Sequence, residues 1–345
     1  MGMAEYPSKQ LCDEMLARAA RLSLNGTGTT SPNPRVGAVV AVGSTILSEG
    51  WHERYGEQHA EVHALNQLHS IPAEAVLYVT LEPCNHSGKQ PPCTHRIVQS
   101  GIQTVVAGMA DPNPTVRGGG IDFLLTHGVR AFIHHGAATD TITRINRAYI
   151  KTVTTGMPYI VVKIAQSSNG IMAPLERSPI SITGVEAQTE VHRLRAEFDA
   201  VMVGMGTVIA DNPRLNVRYV QGRDPARIVV SSVQGLPSDS YLYQTRSVYP
   251  TYEVITTFTT ADRSHFIDQL KALTLNGITG ILCEPGPGLA AWLFALDLVD
   301  ELHLHTAPVR IESGRSSNIP FDRFTRYSSQ QAGADTIEIL LRNGH

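Results

Sequence analysis

One imidazole, one carboxylate and two thiols stand out by their order and spacing. His59 and Glu61 form a His-Ala-Glu triplet, and Cys84 and Cys93 lie within the polar stretch EPCNHSGKQPPC, residues 82–93. An imidazole and two thiolates are three good zinc ligands, and three protein ligands leave a fourth position for water, the arrangement of a catalytic rather than a structural site. Zinc lowers the pKa of such a water to roughly 7. A carboxylate two residues from the His ligand is placed to move that water's proton without ligating the metal. The bland alternative is that Cys84 and Cys93 are unrelated loop or core thiols and His59 a helix cap. His63 follows His59 by one helical turn, but a fourth protein ligand would close the site, so it reads as a packing or surface residue.

These groups need rigid elements behind them. Leu11, Met15, Leu16, Ala19 and Leu22 recur at helical spacing and open the chain with an amphipathic helix. TTSPNPR is a loop, VGAVVAV and STILSEG are strands joined at Gly43, and HAEVHALNQL is a helix beginning near His59. AVLYVT is a buried strand running into the cysteine loop. THRIVQS, TVVAGM, IDFLLTHG and VRAFIH continue the alternation of helix and strand, which argues for a layered α/β domain over residues 1–150. KTVTTGMP reads as a linker. YIVVKIA then starts a second α/β domain, residues 156–345, with further helix and strand patterns through ELHLHTAPV.

Composition bounds the partners. The chain has 345 residues, a net charge of −3 and four cysteines, with no run of 18 apolar residues and no signal-peptide pattern at MGMAEYPSKQ. Neither nucleic acid nor membrane is favoured, and a cytoplasmic location is expected; the further expectations of small-molecule substrates and a homo-oligomer do not come from composition. Cys12 and Cys283 read as buried packing thiols. His303 and His305 alternate on one strand face and lack a third ligand nearby in sequence, so they read as structural.

The long cysteine spacer is diagnostic. Zinc deaminases of nucleobases combine H-x-E with P-C-x-x-C; here Glu61 and Pro83 are present, but eight residues separate the cysteines. TLEPCNHSGKQPPC, together with TSPNPRVGAVV, GWHERYGEQHAEVHAL and DPNP, resembles the bifunctional deaminase/reductase family of riboflavin biosynthesis, and the resemblance runs from residue 11 to about 310. It implies a cytidine-deaminase-like three-layer α/β/α domain followed by a dihydrofolate-reductase-like α/β domain. It implies zinc on His59, Cys84 and Cys93 and a proton shuttle at Glu61. His86 and Lys89 would reach the ribose phosphate and pyrimidine, helped by Asn33, His52, Asp111 and Asn113, with Gly88 allowing close backbone approach. The implied reaction is hydrolytic deamination of 2,5-diamino-6-(5-phosphoribosylamino)pyrimidin-4(3H)-one, followed by NADPH reduction of the ribosyl group to ribityl.

In the second half, LCEPGPGLAAWL is a strand, a Gly-rich turn and a helix start able to hold phosphate. VGMGTVIAD lacks the third glycine of a dinucleotide fingerprint, so a Rossmann domain is not supported. By the same resemblance, Ala165, Thr207, Asp211, Ser232 and the segment Gly286, Pro287, Gly288, Leu289, Ala290 and Ala291 would line the NADPH site. Lys163, Arg195, Leu215, Arg218 and Glu284 would hold substrate, the arginines gripping phosphate bidentately. Two departures from the family pattern fall here: Asn169 stands where an acid is usual, and Ser181, also placed in the cofactor site, stands where an aromatic is common. They motivate an alternative in which the second domain binds nucleotide without turnover. A deaminase acting on nucleic acid and a zinc-stabilised structural domain are the other readings; Glu61→Gln separates the last from an enzyme.

Overall fold

The computed structural model describes residues 6–86, 89–114, 119–174, 182–316 and 318–344. The chain separates into two compact units, residues 1–156 and 157–345. Both are α/β, the fold class expected from the sequence.

The first unit opens with α1 (Lys9–Ser23), whose N-cap Ser8 accepts the Leu11 N–H. Strands β1 (Gly37–Val42) and β2 (Thr45–Trp51) form a hairpin; α2 (Ala60–Leu65) leads to β3 (Val76–Val79). Then follow α3 (Cys93–Ser100), β4 (Thr104–Ala107), α4 (Gly119–Thr126), β5 (Arg130–Ile133), α5 (Ala137–Ile145) and α6 (Arg147–Thr155). The sheet runs β2-β1-β3-β4-β5, with β3, β4 and β5 parallel. Alternation on the strands divides the core in two. Ala38, Val40, Leu77 and Val105 pack with α2, α3 and α4. Val39, Ala41, Tyr78 and Val106 pack with α1 and α5 on the opposite face. This is a three-layer sandwich that buries both faces of a mixed sheet. Helix α2 approaches β2 so closely that a Cβ on Gly50 would lie 2.5 Å from the Ala60 carbonyl oxygen and the Ala64 nitrogen, so only glycine fits.

KTVTTGMP is not a linker: α6 carries the first unit to its C-cap at Gly156. The reason is a tertiary anchor. Buried Asn146, between α5 and α6, accepts the Arg35 N–H (2.8 Å) and donates to the Arg35 carbonyl (3.0 Å).

The second unit begins with β6 (Tyr159–Ser167) and the short β7 (Ala173–Pro174). It continues with α7 (Val185–Glu197), β8 (Ala200–Gly204), α8 (Met205–Asp211), β9 (Ala226–Ser231), α9 (Tyr241–Gln244) and β10 (Thr251–Ile255). After these come α10 (Arg263–Leu275), β11 (Gly280–Cys283), α11 (Pro287–Ala295), β12 (Glu301–Ala307), β13 (Gly314–Arg315), β14 (Phe324–Ala332) and β15 (Asp335–Arg342). Eight strands pair in the order β10-β9-β8-β11-β6-β12-β15-β14, parallel from β10 to β12 and antiparallel beyond; β7 and β13 form a separate two-stranded pair. Central β6 is paired with β11 from Gly280 and with β12 from Glu301. Its Ile160, Val162 and Ile164 join α10 and α11 in one cluster, while Val161 joins Leu194, Val208 and Leu242 on the other face.

Candidate active sites

The first site is built at one end of the first sheet. His59 is the N-cap residue of α2 and Glu61 lies in its first turn. Cys84 follows β3, and Cys93 opens α3. These elements bring the three metal-ligand candidates together. His59 Nδ1 lies 3.2 Å from Cys93 Sγ and 3.4 Å from Cys84 Sγ, and all three ligand atoms lie within 4.8 Å of one another. A tetrahedral zinc with ordinary Zn–N and Zn–S bonds separates its ligand atoms by about 3.6 Å, so the donor set fits the ion. It is the only such His, Cys or carboxylate group found among the described residues; His303 is instead paired with Glu301 at 2.6 Å. The Cys93 thiol, and then His59, hold the Cys84 thiol well below its ordinary value, and the Cys93 N–H points at its sulfur from 3.4 Å. Burial lifts the Glu61 carboxyl to about 7, with His59 opposing the rise.

A cavity of about 470 Å³ opens over this cluster. All six residues expected to contact substrate line it: Asn33, His52, His86, Lys89, Asp111 and Asn113, together with His59, Glu61 and Cys84. Gly88 lies outside the described residues. Several of these groups are pre-set by the backbone. His52 Nδ1 donates to the Gln58 carbonyl (3.0 Å), so its Nε2 accepts from the Asn33 amide (3.2 Å). Burial keeps this imidazole's pKa low and hence neutral. Asp111 accepts the Asn113 N–H and the Tyr149 O–H, both at 2.9 Å. The Glu82 carboxylate, buried in the same turn as Cys84, accepts the N–H groups of Asp111, Gly120 and Ile121 at 3.1–3.2 Å. It ties the cysteine turn to α4 and to the Asp111 loop. Sequence reasoning missed Tyr55, Glu82 and Tyr149, all of which line the cavity. The signal for Glu82 was its place in E-P-C; Tyr149 sits on α6 just before KTVTTGMP, the stretch that reads as a linker.

The second site lies at the C-terminal ends of the parallel strands in the second unit. A cavity of about 280 Å³ is lined by Lys163, Ala165, Arg195, Arg218 and Glu284 of the expected set, and by His192, Thr183 and Gln188, which the sequence did not single out. Arg195 is held in place within this lining: its guanidinium is bidentate on Glu284 through Nε and Nη2 (2.6 and 2.8 Å), and Nη1 donates to the Asn216 carbonyl (3.1 Å). Arg218 is exposed. Leu215 buries its side chain in the hydrophobic core, which leaves its backbone, at φ 56°, to meet a ligand. Burial depresses the Lys163 ammonium's pKa, with Glu284 opposing.

The residues expected to line the NADPH site follow neighbouring strands: Ala165 on β6, Thr207 and Asp211 on α8 after β8, Ser232 after β9, and Gly286 to Ala291 after β11. Open parallel sheets bind ligands in this crevice. Gly286 is the extended N-cap of α11, and a Cβ built there would lie 3.6 Å from Thr207 Oγ1, so the two segments adjoin. Leu289 and Ala290 bury their side chains, leaving the helix's first-turn N–H groups as what this segment can offer a phosphate. Ser181 lies outside the described residues. Asn169 has a structural use: it accepts the Ile311 N–H (3.2 Å) and donates to the Ile311 carbonyl (2.8 Å), a pair of hydrogen bonds that an ionised acid cannot make.

A layered α/β unit with a His-Cys-Cys cluster and a buried glutamate defines a zinc-binding deaminase, here joined in one chain to a second α/β unit carrying a cleft at its strand ends. Comparison with known proteins agrees. Residues 11–109 match the family described as cytidine and deoxycytidylate deaminase zinc-binding region, and residues 158–322 match the RibD C-terminal domain. Riboflavin biosynthesis protein RibD of Escherichia coli is 34% identical over 319 residues, covering 85% of this chain and 86% of that protein. RibD of Bacillus amyloliquefaciens is 35% identical over 312 residues, covering 85% and 83%. Among solved structures, Acinetobacter baumannii RibD superposes with a TM-score of 0.87 at 29% identity, covering 97% of this chain and 100% of that one. A diaminohydroxyphosphoribosylaminopyrimidine deaminase/5-amino-6-(5-phosphoribosylamino)uracil reductase from Thermotoga maritima gives 0.86 at 27% identity, covering 97% and 99%. The chain belongs to the RibD family, bifunctional deaminase–reductases of riboflavin biosynthesis. No helix among the described residues is long and apolar enough to cross a membrane.

Proposed function

We propose that the first unit hydrolyses the C2 amine of 2,5-diamino-6-(5-phosphoribosylamino)pyrimidin-4(3H)-one, and that the second unit uses NADPH to reduce the ribosyl group of the product to ribityl. The observation that carries the first half is the convergence of His59, Cys84 and Cys93 with Glu61 beneath a cavity of substrate size. Zinc held by those three side chains would supply the Lewis acidity that makes water nucleophilic near neutrality. Glu61, buried and lifted to about 7, takes a proton from the attacking water and delivers it to the departing nitrogen. One water is consumed, its oxygen replaces the exocyclic nitrogen at C2, and ammonia leaves. Neutral His52 and the Asp111–Tyr149 pair orient the pyrimidine, while His86 and Lys89 meet the phosphoribosyl arm.

In the second unit, Ala165, Thr207, Asp211, Ser232 and the start of α11 would hold NADPH, which supplies the hydride. Arg218 and Lys163 would meet substrate. Arg195 acts through Glu284 by fixing its carboxylate against the cavity. Cytoplasmic residence and self-association belong to the same reading; four free thiols fit the first, and a solution-mass measurement tests the second.

The test is metal content together with ammonia release and loss of NADPH absorbance on the named substrate. Glu61→Gln should keep the metal and lower ammonia release by about 10²–10⁴-fold. A variant as active as the parent sinks the assignment. Bound NADPH that is not oxidised when deaminated substrate is added would show that the second unit binds without turnover.

A further inference from the structure

We propose that Tyr55 is a positioning residue for the anionic arm of the deaminase substrate, its ring holding the Lys89 ammonium at the mouth of the first cavity. This rests on the deaminase reading above and adds to it a residue that the sequence did not single out. The Lys89 Nζ lies 4.0 Å from the centroid of the Tyr55 ring, within the range of a cation–π contact, and both side chains line the cavity. The contact is part of a grip. Gly56, at φ 89°, turns the chain so that its bare α-carbon faces the Lys89 stem; a Cβ there would lie 3.5 Å from Lys89 Cδ. The neighbouring Gln90 amide donates to the Gly56 carbonyl at 2.8 Å. Behind, the Tyr55 N–H donates to the Thr29 carbonyl at 3.0 Å, anchoring the turn to the body of the unit.

The choice of an aromatic partner has a chemical consequence. A carboxylate beside Lys89 would neutralise it and would have to be displaced by an incoming anion. Among the described residues no carboxylate forms an ion pair with Lys89; Glu57 pairs with Arg54 (3.9 Å), and Glu53 lies 3.7 Å from His63. A ring face attracts the ammonium through its quadrupole and leaves the charge whole. It also restrains a side chain with four rotatable bonds in the orientation that ligand binding needs. The depth of the cavity assigns the ligand's charged end to this position: Glu61 is buried at the floor, whereas Lys89 and Tyr55 are exposed at the rim. A pyrimidine presented to Glu61 leaves its phosphate outward, against Lys89.

The test compares KM and kcat for the phosphorylated substrate and its dephosphorylated counterpart in zinc-loaded full-length protein. Tyr55→Leu should raise KM for the phosphorylated substrate about 2- to 5-fold, the size of an exposed cation–π contact, with kcat unchanged and the dephosphorylated substrate unaffected. Tyr55→Phe, which keeps the ring, should retain the parental KM. Adding Tyr55→Leu to Lys89→Ala should cost nothing further. An equal rise for both substrates would make Tyr55 a mere wall, a defect in Tyr55→Phe would assign the role to its hydroxyl, and additive losses would uncouple it from Lys89; each overturns the proposal. Calorimetric titration with inorganic phosphate reads the same contact without turnover: weaker binding in Tyr55→Leu than in the parent supports it, and equal binding overturns it. A parent protein that shows the phosphate difference yet releases no ammonia refutes the deaminase reading alone.

Discussion

At the second cavity, Arg195 and Glu284 form one ion pair. Both side chains are largely buried, and the fork is doubly bonded. Truncating one partner leaves the other charged and unsolvated, so Arg195→Met should destabilise the second unit by about 3–5 kcal/mol, measured as a lowered urea midpoint; Arg195→Met with Glu284→Leu should recover much of it. His192 supplies the pH dependence. It accepts the Arg218 N–H at 3.1 Å through Nδ1, and burial, followed by Arg195 and Arg218, pushes its pKa down to about 4. In the unfolded chain it titrates near 6.5. Below 6.5 the unfolded chain therefore takes up a proton that the folded one refuses. Its contribution to stability is complete above 6.5, falls as the pH drops towards 4, and is fully lost below. Urea midpoints between pH 7.5 and 4 should fall less steeply in His192→Gln, which keeps an acceptor for Arg218, than in the parent. Residue identity made the metal cluster legible, because His59, Glu61, Cys84 and Cys93 carry chemistry in their types and order. It did not reveal the partner of Arg195, since residues 89 positions apart meet only after the sheet has formed.

At the scale of elements, the metal cluster is only as good as the seating of α2. That helix carries Glu61 in its first turn and His59 at its cap, and it rests on β2 through Gly50. Gly50→Ala must push it outward. The expected result is about 1–3 kcal/mol of destabilisation from overpacking, together with reduced zinc retention in a dialysis assay, although no ligand has been changed. Strands and helices with strong periodicity, such as α1, β1 and β6, were readable directly from the sequence. Others were hidden for physical reasons. Helix α6 looks like a Thr-rich linker because its stability comes from Asn146 and Tyr149 bonding to distant backbone and Asp111. Strand β14, FTRYSSQQA, has little apolar content because nearly all of it is exposed at the edge of the sheet. Its pairing with β15 across the Gly333–Ala334 turn, rather than a hydrophobic face, makes it a strand.

The whole molecule keeps its two chemistries in two units, each with its own core. Stripping zinc with a chelator should therefore abolish ammonia release while leaving NADPH oxidation on already deaminated substrate within about twofold of the untreated protein; parallel loss of both activities would contradict this independence. The central place of β6 has a further consequence, which concerns birth rather than catalysis. It is the first strand of its unit to leave the ribosome, yet the segments that flank it begin at Gly280 and Glu301, roughly 120 and 140 residues later. At ordinary rates of translation that interval is on the order of 10 s, during which an apolar strand waits with both edges bare. The leading unit can finish folding in that time; the trailing one cannot close its sheet until β11 and β12 have emerged, and this is the window in which the nascent chain most needs a chaperone.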